Sequence, residues 1–396
     1  MWTAERGWFP LKDLTLRYSL TQLTFWASAT GMASFATTFL LKSGLPSAVV
    51  GTLLAMAGLL SCVTQPVLAG WADKARHFPV PGMMAALSAI CSLCCLMLLI
   101  RGMPPLASGL LYGLGLWCSD AMMPLLNALY VGYDQGDHRI RFGIARCIGS
   151  IASALIALVL GHVIAALGLT WMLILLILFR ILCILLLLGY PKIDAIRSVE
   201  KAASSCTVPQ FFRRYRWYCA AMAGVLFLGM FHAMSENYLI AIVAPFGGDS
   251  SQVGTALFIS CMAGAGMLLF ADNIHHRLST AWMLRIAGLS FLLKSILFYF
   301  APGISTIYAL ELLQMTSYAF LNPAQIYFAG ERVSKEDMVK GQAFSTAAYS
   351  LGCSAGNFSG GVLLNAGLHT LLLAGIGMAL AGTVLLFLTV DKQDAR

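Results

Sequence analysis

Runs of roughly 20 apolar residues recur about twelve times along this chain of 396 residues, and no other feature limits its fold as strongly. At about 1.5 Å per residue, a helix of that length covers the ~30 Å hydrocarbon core of a bilayer. The runs are too uniformly apolar for the in–out alternation of a half-buried strand, so helices are expected. They are placed at 18–41, 49–72, 81–100, 105–130, 142–166, 170–190, 218–244, 252–273, 282–301, 306–329, 342–366 and 370–391. Composition agrees: 59% of the residues are hydrophobic and 11% charged, against about 25% charged in soluble domains. The expected fold class is an all-α membrane protein of 12 transmembrane helices. A soluble globular domain is excluded.

The net charge of +8 could suggest a nucleic-acid partner, but the positions of the basic residues explain it otherwise. With these spans, Lys74, Arg76, Arg139, Arg141, Arg213, Arg214, Arg216, Arg277, Arg332, Lys335 and Lys340 fall in loops on one side, together with both termini. Only Lys42 and Arg101 fall opposite. The positive-inside rule then puts both termini and the central loop in the cytoplasm, with a bacterial cytoplasmic membrane expected and no nucleic-acid partner. The N-terminal stretch lacks the apolar core and cleavage site of a signal peptide, and Trp2 and Trp8 read as interfacial anchors. The eleven cysteines lie mostly inside apolar runs and read as small hydrophobes. Cys91 and Cys94 have metal-ligand spacing, yet no second pair or histidine cluster accompanies them, so neither metal nor cofactor is expected.

The chain repeats itself at about half its length. Trp71–Ala72–Asp73 is answered by Phe270–Ala271–Asp272, and Pro124 by Pro323, both at an offset of 199; Gly143 meets Gly341 within one residue. Two pseudo-symmetric bundles of six helices follow, at 18–190 and 218–391, with a cytoplasmic segment at 1–17, a linker at 191–217 and a tail at 392–396. Parallel repeats of this kind build transporters whose substrate site lies near the membrane midplane between the halves. Asp73, Lys74 and Arg76 sit in the hairpin after the second span, with Asp272 at the matching place; they read either as a gating cluster or as interfacial helix caps. Gly352, Gly356 and Gly360, like Gly109 and Gly113, mark faces where helices pack closely.

Charges inside the spans are functional-site candidates by default. Asp120 and Asn127 are seven apart, which on one helix puts them on nearly the same face, and Arg146 enters the next span. Arg180 lies mid-span, with Asp120 its nearest partner by depth. In the second half Glu236, Lys294 and Glu311 each lie roughly 8 to 12 Å inside the outer end of their spans. His232 is one turn from Glu236, and Gln314 neighbours Glu311. Two acids against one lysine leave a carboxyl able to hold a proton; the alternative is a static charge network that fixes helix register. No paired metal ligands, nucleophile elbow or phosphate-cradling glycine loop points to an enzyme.

Two local patterns add a resemblance. Gln65, Pro66, Asp73 and Lys74 at the end of the second span, and Phe142, Gly143, Arg146 and Gly149 as FGxxRxxG, resemble the major facilitator superfamily. The branch is that of lactose permease and the oligosaccharide–proton symporters, with phenylpropionate and nucleoside permeases as relatives. The resemblance implies that Arg146 contacts sugar hydroxyls and that the family's partner glutamate falls on Asn127. Ser153 stands where the lactose permease has a stacking tryptophan. Lys294 falls on an arginine of that permease, Glu311 on a lysine, Gln314 on a histidine and Ser317 on its proton-translocating carboxylate; Glu236 approximates the seventh-helix acid. The implied function is secondary active transport of a small polar solute, a sugar or glycoside, by alternating access with proton symport. Nucleoside or aromatic-acid uptake and export of amphiphiles are the alternatives. Substrate contacts are expected from Arg146, Asn127, Asp120, Gln22, Trp26, Asn237, Gln314 and Asn322, and proton coupling from Glu236, Glu311, Lys294 and His232. The expected partners are solute, protons and bilayer, with the protein a monomer.

Overall fold

The computed structural model describes residues 14–74, 79–133, 140–191, 207–268, 274 and 277–392, and every regular element among them is helical. The helices are α1 (Leu14–Ser34), α2 (Ala36–Lys42), α3 (Ser47–Lys74), α4 (Val80–Met97), α5 (Pro105–Ala121), α6 (Met123–Tyr133), α7 (Phe142–Leu167) and α8 (Leu169–Leu188). After the linker come α9 (Val208–Arg214), α10 (Arg216–Asn237), α11 (Leu239–Val243) and α12 (Ser250–Leu268). The last are α13 (Thr280–Tyr299), α14 (Ile304–Glu311), α15 (Tyr318–Arg332), α16 (Met338–Asn365) and α17 (Leu368–Thr389). Eight of the segments are long and apolar enough to cross a membrane. The other four expected spans fall on α1 with α2, α12, α14 with α15, and α16, which are broken or more polar. Side chains such as Val63, Val67, Leu188 and Phe300 are largely exposed, as a lipid-facing surface requires.

The chain divides into two compact units: Met1–Leu45 with Met56–Val199, and Pro46–Ala55 with Glu200–Arg396. In the first, α1 packs on α7 and α8, and α4 on α5 and α8. Tyr18, Phe25, Met84, Met122, Leu129 and Cys183 fill its core. In the second, α10 packs on α16 and α17, and α13 on α15 and α17. Its core holds Phe211, Tyr218, Met222, Leu228, Phe291 and Phe328. The same pairs of spans are thus partners in each unit, as the sequence offset anticipates.

Two turns repeat at that offset as well. The α7–α8 turn is made by Gly168 at φ +89°, and the α16–α17 turn by Gly367 at φ +113°. These are backbone conformations that side chains disfavour. The glycine spacing on α16 also has its expected use: a Cβ at Gly352 or Gly356 would run into the α10 backbone at Leu226 or Met230. Contact of this kind holds helices together where lipid offers no hydrophobic drive.

Candidate functional site

In the first unit the polar residues gather around a broken span. Asp120 and Asn127 do not share one continuous helix, because α5 ends at Ala121 and α6 begins at Met123. The cause is Pro124, which has no N–H for the carbonyl four residues earlier, that of Asp120. Gln65 donates to that carbonyl instead, Nε2 to O at 3.2 Å. The Asp120 side chain is half-buried in the last turn of α5, and Asn127 is exposed on α6. The Arg180 guanidinium acts on the Asp120 carboxyl through its charge, but its hydrogen bond goes to the neighbouring Ser119, Nη2 to Oγ at 2.5 Å. Arg180 is fully buried and also lies over the Phe25 ring at 5.5 Å.

A chain of contacts runs from α7 across α1 to α6. The Arg146 guanidinium lies over the Trp26 ring, 4.6 Å from its centroid, and donates to Ser150 Oγ at 3.1 Å. Trp26 Nε1 donates to Gln22 Oε1 at 2.8 Å, and Gln22 Nε2 to the Tyr18 hydroxyl at 2.7 Å. The Tyr18 hydroxyl donates to the Leu126 carbonyl at 3.1 Å. Gly149 makes room, since a Cβ there would meet the indole of Trp26 at 2.7 Å. Both faces of the side-chain amide are therefore committed, and the indole is held flat beneath a cation.

The second unit contains the charge cluster. Lys294 Nζ on α13 donates to Glu311 Oε2 at 2.8 Å and to Glu236 Oε1 at 3.1 Å. The side chains of Lys294 and Glu311 are each 1% exposed and that of Glu236 16%. The ammonium also lies 5.4 Å from the Phe298 ring centroid. Both acids stand at helix breaks. Glu311 ends α14, after which Leu312–Met315 form a 3₁₀ turn; Glu236 lies one residue before the end of α10, where Tyr238 separates it from α11. Broken helices of this kind mark binding sites in transporters. Nearby, Gln314 Oε1 and His232 Nδ1 are buried without a hydrogen-bond partner, as is Ser317 Oγ at the break before α15, while the Ser260 hydroxyl lies against the Glu311 carboxylate.

His232 lies near the acids but packs among rings, 5.1 Å from Tyr318, 5.7 Å from Phe291 and 6.2 Å from Tyr349. Asn237 Nδ2 donates to Asn357 Oδ1 at 2.6 Å, and the Tyr238 hydroxyl to the Asn357 carbonyl at the same distance. Asn322 is half-buried on α15. Asp73 and Lys74 end α3, with only their backbone described, while Arg76, Asp272 and most of the linker lie outside the described residues. The structure adds Asn357, Tyr18, Tyr318 and Tyr349. Asn357, a lone amide amid the closely spaced glycines of α16, was the one visible in sequence.

Similarity to known proteins agrees with this architecture. A comparison with curated proteins found no match in sequence. Among solved structures, a mutant of the nucleoside transporter NupG superposes with a TM-score of 0.81 at 16% identity, covering 96% of this chain and 99% of that one. A bacterial homologue of the human lysosomal transporter Spinster, in its inward-facing and occupied conformation, gives 0.71 at 13% identity, with 96% of each chain covered. The POT family transporter PepTSo gives 0.70 at 12%, over 95% of this chain and 96% of its own. Likeness at these identities establishes the fold, and the profile described as MFS_1 like family matches residues 15–373. This integral membrane protein therefore belongs to the MFS_1 like family of the major facilitator superfamily.

Proposed function

We propose that this protein is a proton-coupled secondary transporter of a small, neutral, hydroxyl-rich solute, a sugar or glycoside in the first reading. The observation that carries the proposal is Lys294 held between Glu236 and Glu311. One ammonium matches only one of two carboxylates, and taking a proton removes the surplus charge. A static network would need no second acid. The unpartnered oxygens of Gln314 and Ser317 are groups that solute hydroxyls satisfy, because buried polar atoms are otherwise paired.

In this reading Arg146 over Trp26, with Asn127 and Asp120, provides the solute contacts of the first unit. Gln22, fully buried with its amide committed, positions Trp26 instead of making the solute contact expected from sequence. Asn237, Gln314 and Asn322 provide those of the second. Glu236, Glu311, Lys294 and His232 serve coupling, and Asp73, Lys74, Arg76 and Asp272 serve gating. Protonation and solute together favour the state in which the repeats rock, which is alternating access. Both termini are assigned to the cytoplasm and the membrane to a bacterial cytoplasmic one.

A nucleoside is the second reading. It is favoured by the likeness to NupG structures and by the Trp26 ring, which offers a stacking face to a base as readily as to a sugar. A panel of mono- and disaccharides, nucleosides, aromatic acids and amphiphilic cations, scored by thermal stabilisation of the purified protein, separates these readings. At a ligand concentration 100 times Kd, stabilisation is about 2.7 kcal/mol. Stabilisation by one hydroxyl-rich class, with transport of that class into proteoliposomes, supports the proposal; stabilisation by amphiphilic cations alone would replace it with an exporter.

A further inference from the structure

The corner where α10 begins and α17 ends holds cations that the transport reading does not use. Gly224 of α10 and Gly382 of α17 pack against each other's backbone, which brings the first turn of α10 beside the last residues of α17. There Trp217 sits between two positive groups: the Arg216 guanidinium is 5.2 Å from its ring centroid and Lys392 Nζ 3.9 Å. Arg332 fixes the chain just past the end of α17, donating to the Val390 carbonyl at 2.5 Å and the Lys392 carbonyl at 3.2 Å.

Neighbouring cations are matched. Arg285 is paired with Asp391, and Arg214 lies 3.8 Å from Asp337 Oδ2. Arg213, Arg216 and Lys392 are exposed, and among the described residues none has a carboxylate within 4 Å. Two like charges held on one indole, at the end of two membrane-spanning helices, repel unless an anion joins them. Next to them α9 presents Val208 and Phe212 to the outside, 62% and 46% exposed, while Phe211 anchors it to the core. The surface thus offers cations for a headgroup beside apolar side chains for acyl chains.

We infer that Arg216, Trp217 and Lys392, with Arg213 and the apolar face of α9, form a binding site for the phosphodiester of an anionic phospholipid. The phosphate reaches the guanidinium and the ammonium at the rim of the indole they flank, and the edge of that ring takes the glycerol backbone. The lipid supplies the charge match that the described residues lack at this corner.

The test uses the full-length purified protein in micelles doped with phosphatidylglycerol or phosphatidylcholine, with retained lipid counted by native mass spectrometry. Wild type is expected to prefer phosphatidylglycerol, and the double variant Arg216→Gln/Lys392→Gln to lose roughly tenfold or more of that affinity. Arg101→Gln, in a loop remote in sequence, is expected to bind as wild type. Equal phosphatidylglycerol binding by wild type and double variant would overturn the site. So would full displacement of the lipid by millimolar inorganic phosphate, which would make this a free-anion site. Melting in lipid-free detergent checks the fold of the variant. If it does not fold, wild type alone decides: in about 1 M salt, where the Debye length is ~3 Å, phosphatidylglycerol is released, and lipid retained there would contradict the proposal.

Discussion

Lys294 neutralises one acid and hydrogen-bonds two, so its removal is felt twice. Lys294→Met leaves Glu236 and Glu311 facing each other without a cation, and breaking a buried pair in this way costs about 3–5 kcal/mol. A clear fall in melting temperature is expected in detergent, with much of it restored in Lys294→Met/Glu311→Gln, where the charge is removed with its partner. Equal instability of the double variant would contradict this account of the cluster. At the other polar cluster, Arg146→Lys keeps the charge but loses the flat guanidinium over Trp26. Solute affinity is expected to fall roughly tenfold in calorimetric titration. The charged members of both clusters were legible in sequence because an ionised side chain inside an apolar run has few explanations. Their partners were less so. Depth along a span suggested Asp120 for Arg180, whereas side-chain direction gives the hydrogen bond to Ser119. Tyr318 and Tyr349 carry no charge and do not stand out against their spans.

Among elements, the breaks matter more than the helices. Gln65 replaces the hydrogen bond that Pro124 cannot give to the Asp120 carbonyl. Gln65→Leu orphans that carbonyl and is expected to cost about 1–3 kcal/mol. Pro124→Ala restores an N–H donor within the helix, so the double variant should be more stable than Gln65→Leu alone; additive losses in a thermal double-mutant cycle would refute the link. Gly356→Leu is expected to separate α16 from α10 and to lower stability by several kcal/mol or prevent folding, because the clash is with the Met230 backbone and not a movable side chain. The proline was visible in sequence, but membrane helices tolerate proline, so nothing local said that α5 and α6 would separate at Met122. The break after Glu311 has no proline within it, and its 3₁₀ turn arises from a run, LLQMTS, with no helix-breaking residue. The glycine stripe was readable because spacing alone identifies a packing face.

At the scale of the molecule, the repeat offset of 199 was the strongest information in the chain. It reappears in two of the positive-φ glycines, Gly168 and Gly367, and in matching helix partners within each unit. The all-helical membrane fold and its family follow from such regularities, which depend on pattern and not on any single contact. In the proposed reading substrate choice depends on a few side chains at the breaks, and that part of the chain has no pattern to read. The most direct test is proton movement on addition of solute. Proteoliposomes containing wild type or Glu311→Gln are given the solute identified by the stabilisation panel, while a dye reports external pH. Wild type is expected to alkalinise the medium as solute enters, and Glu311→Gln to exchange solute without accumulating it or moving protons. Full accumulation by Glu311→Gln, or uptake by wild type without any pH change, would contradict the coupling role assigned to the Glu236–Lys294–Glu311 cluster.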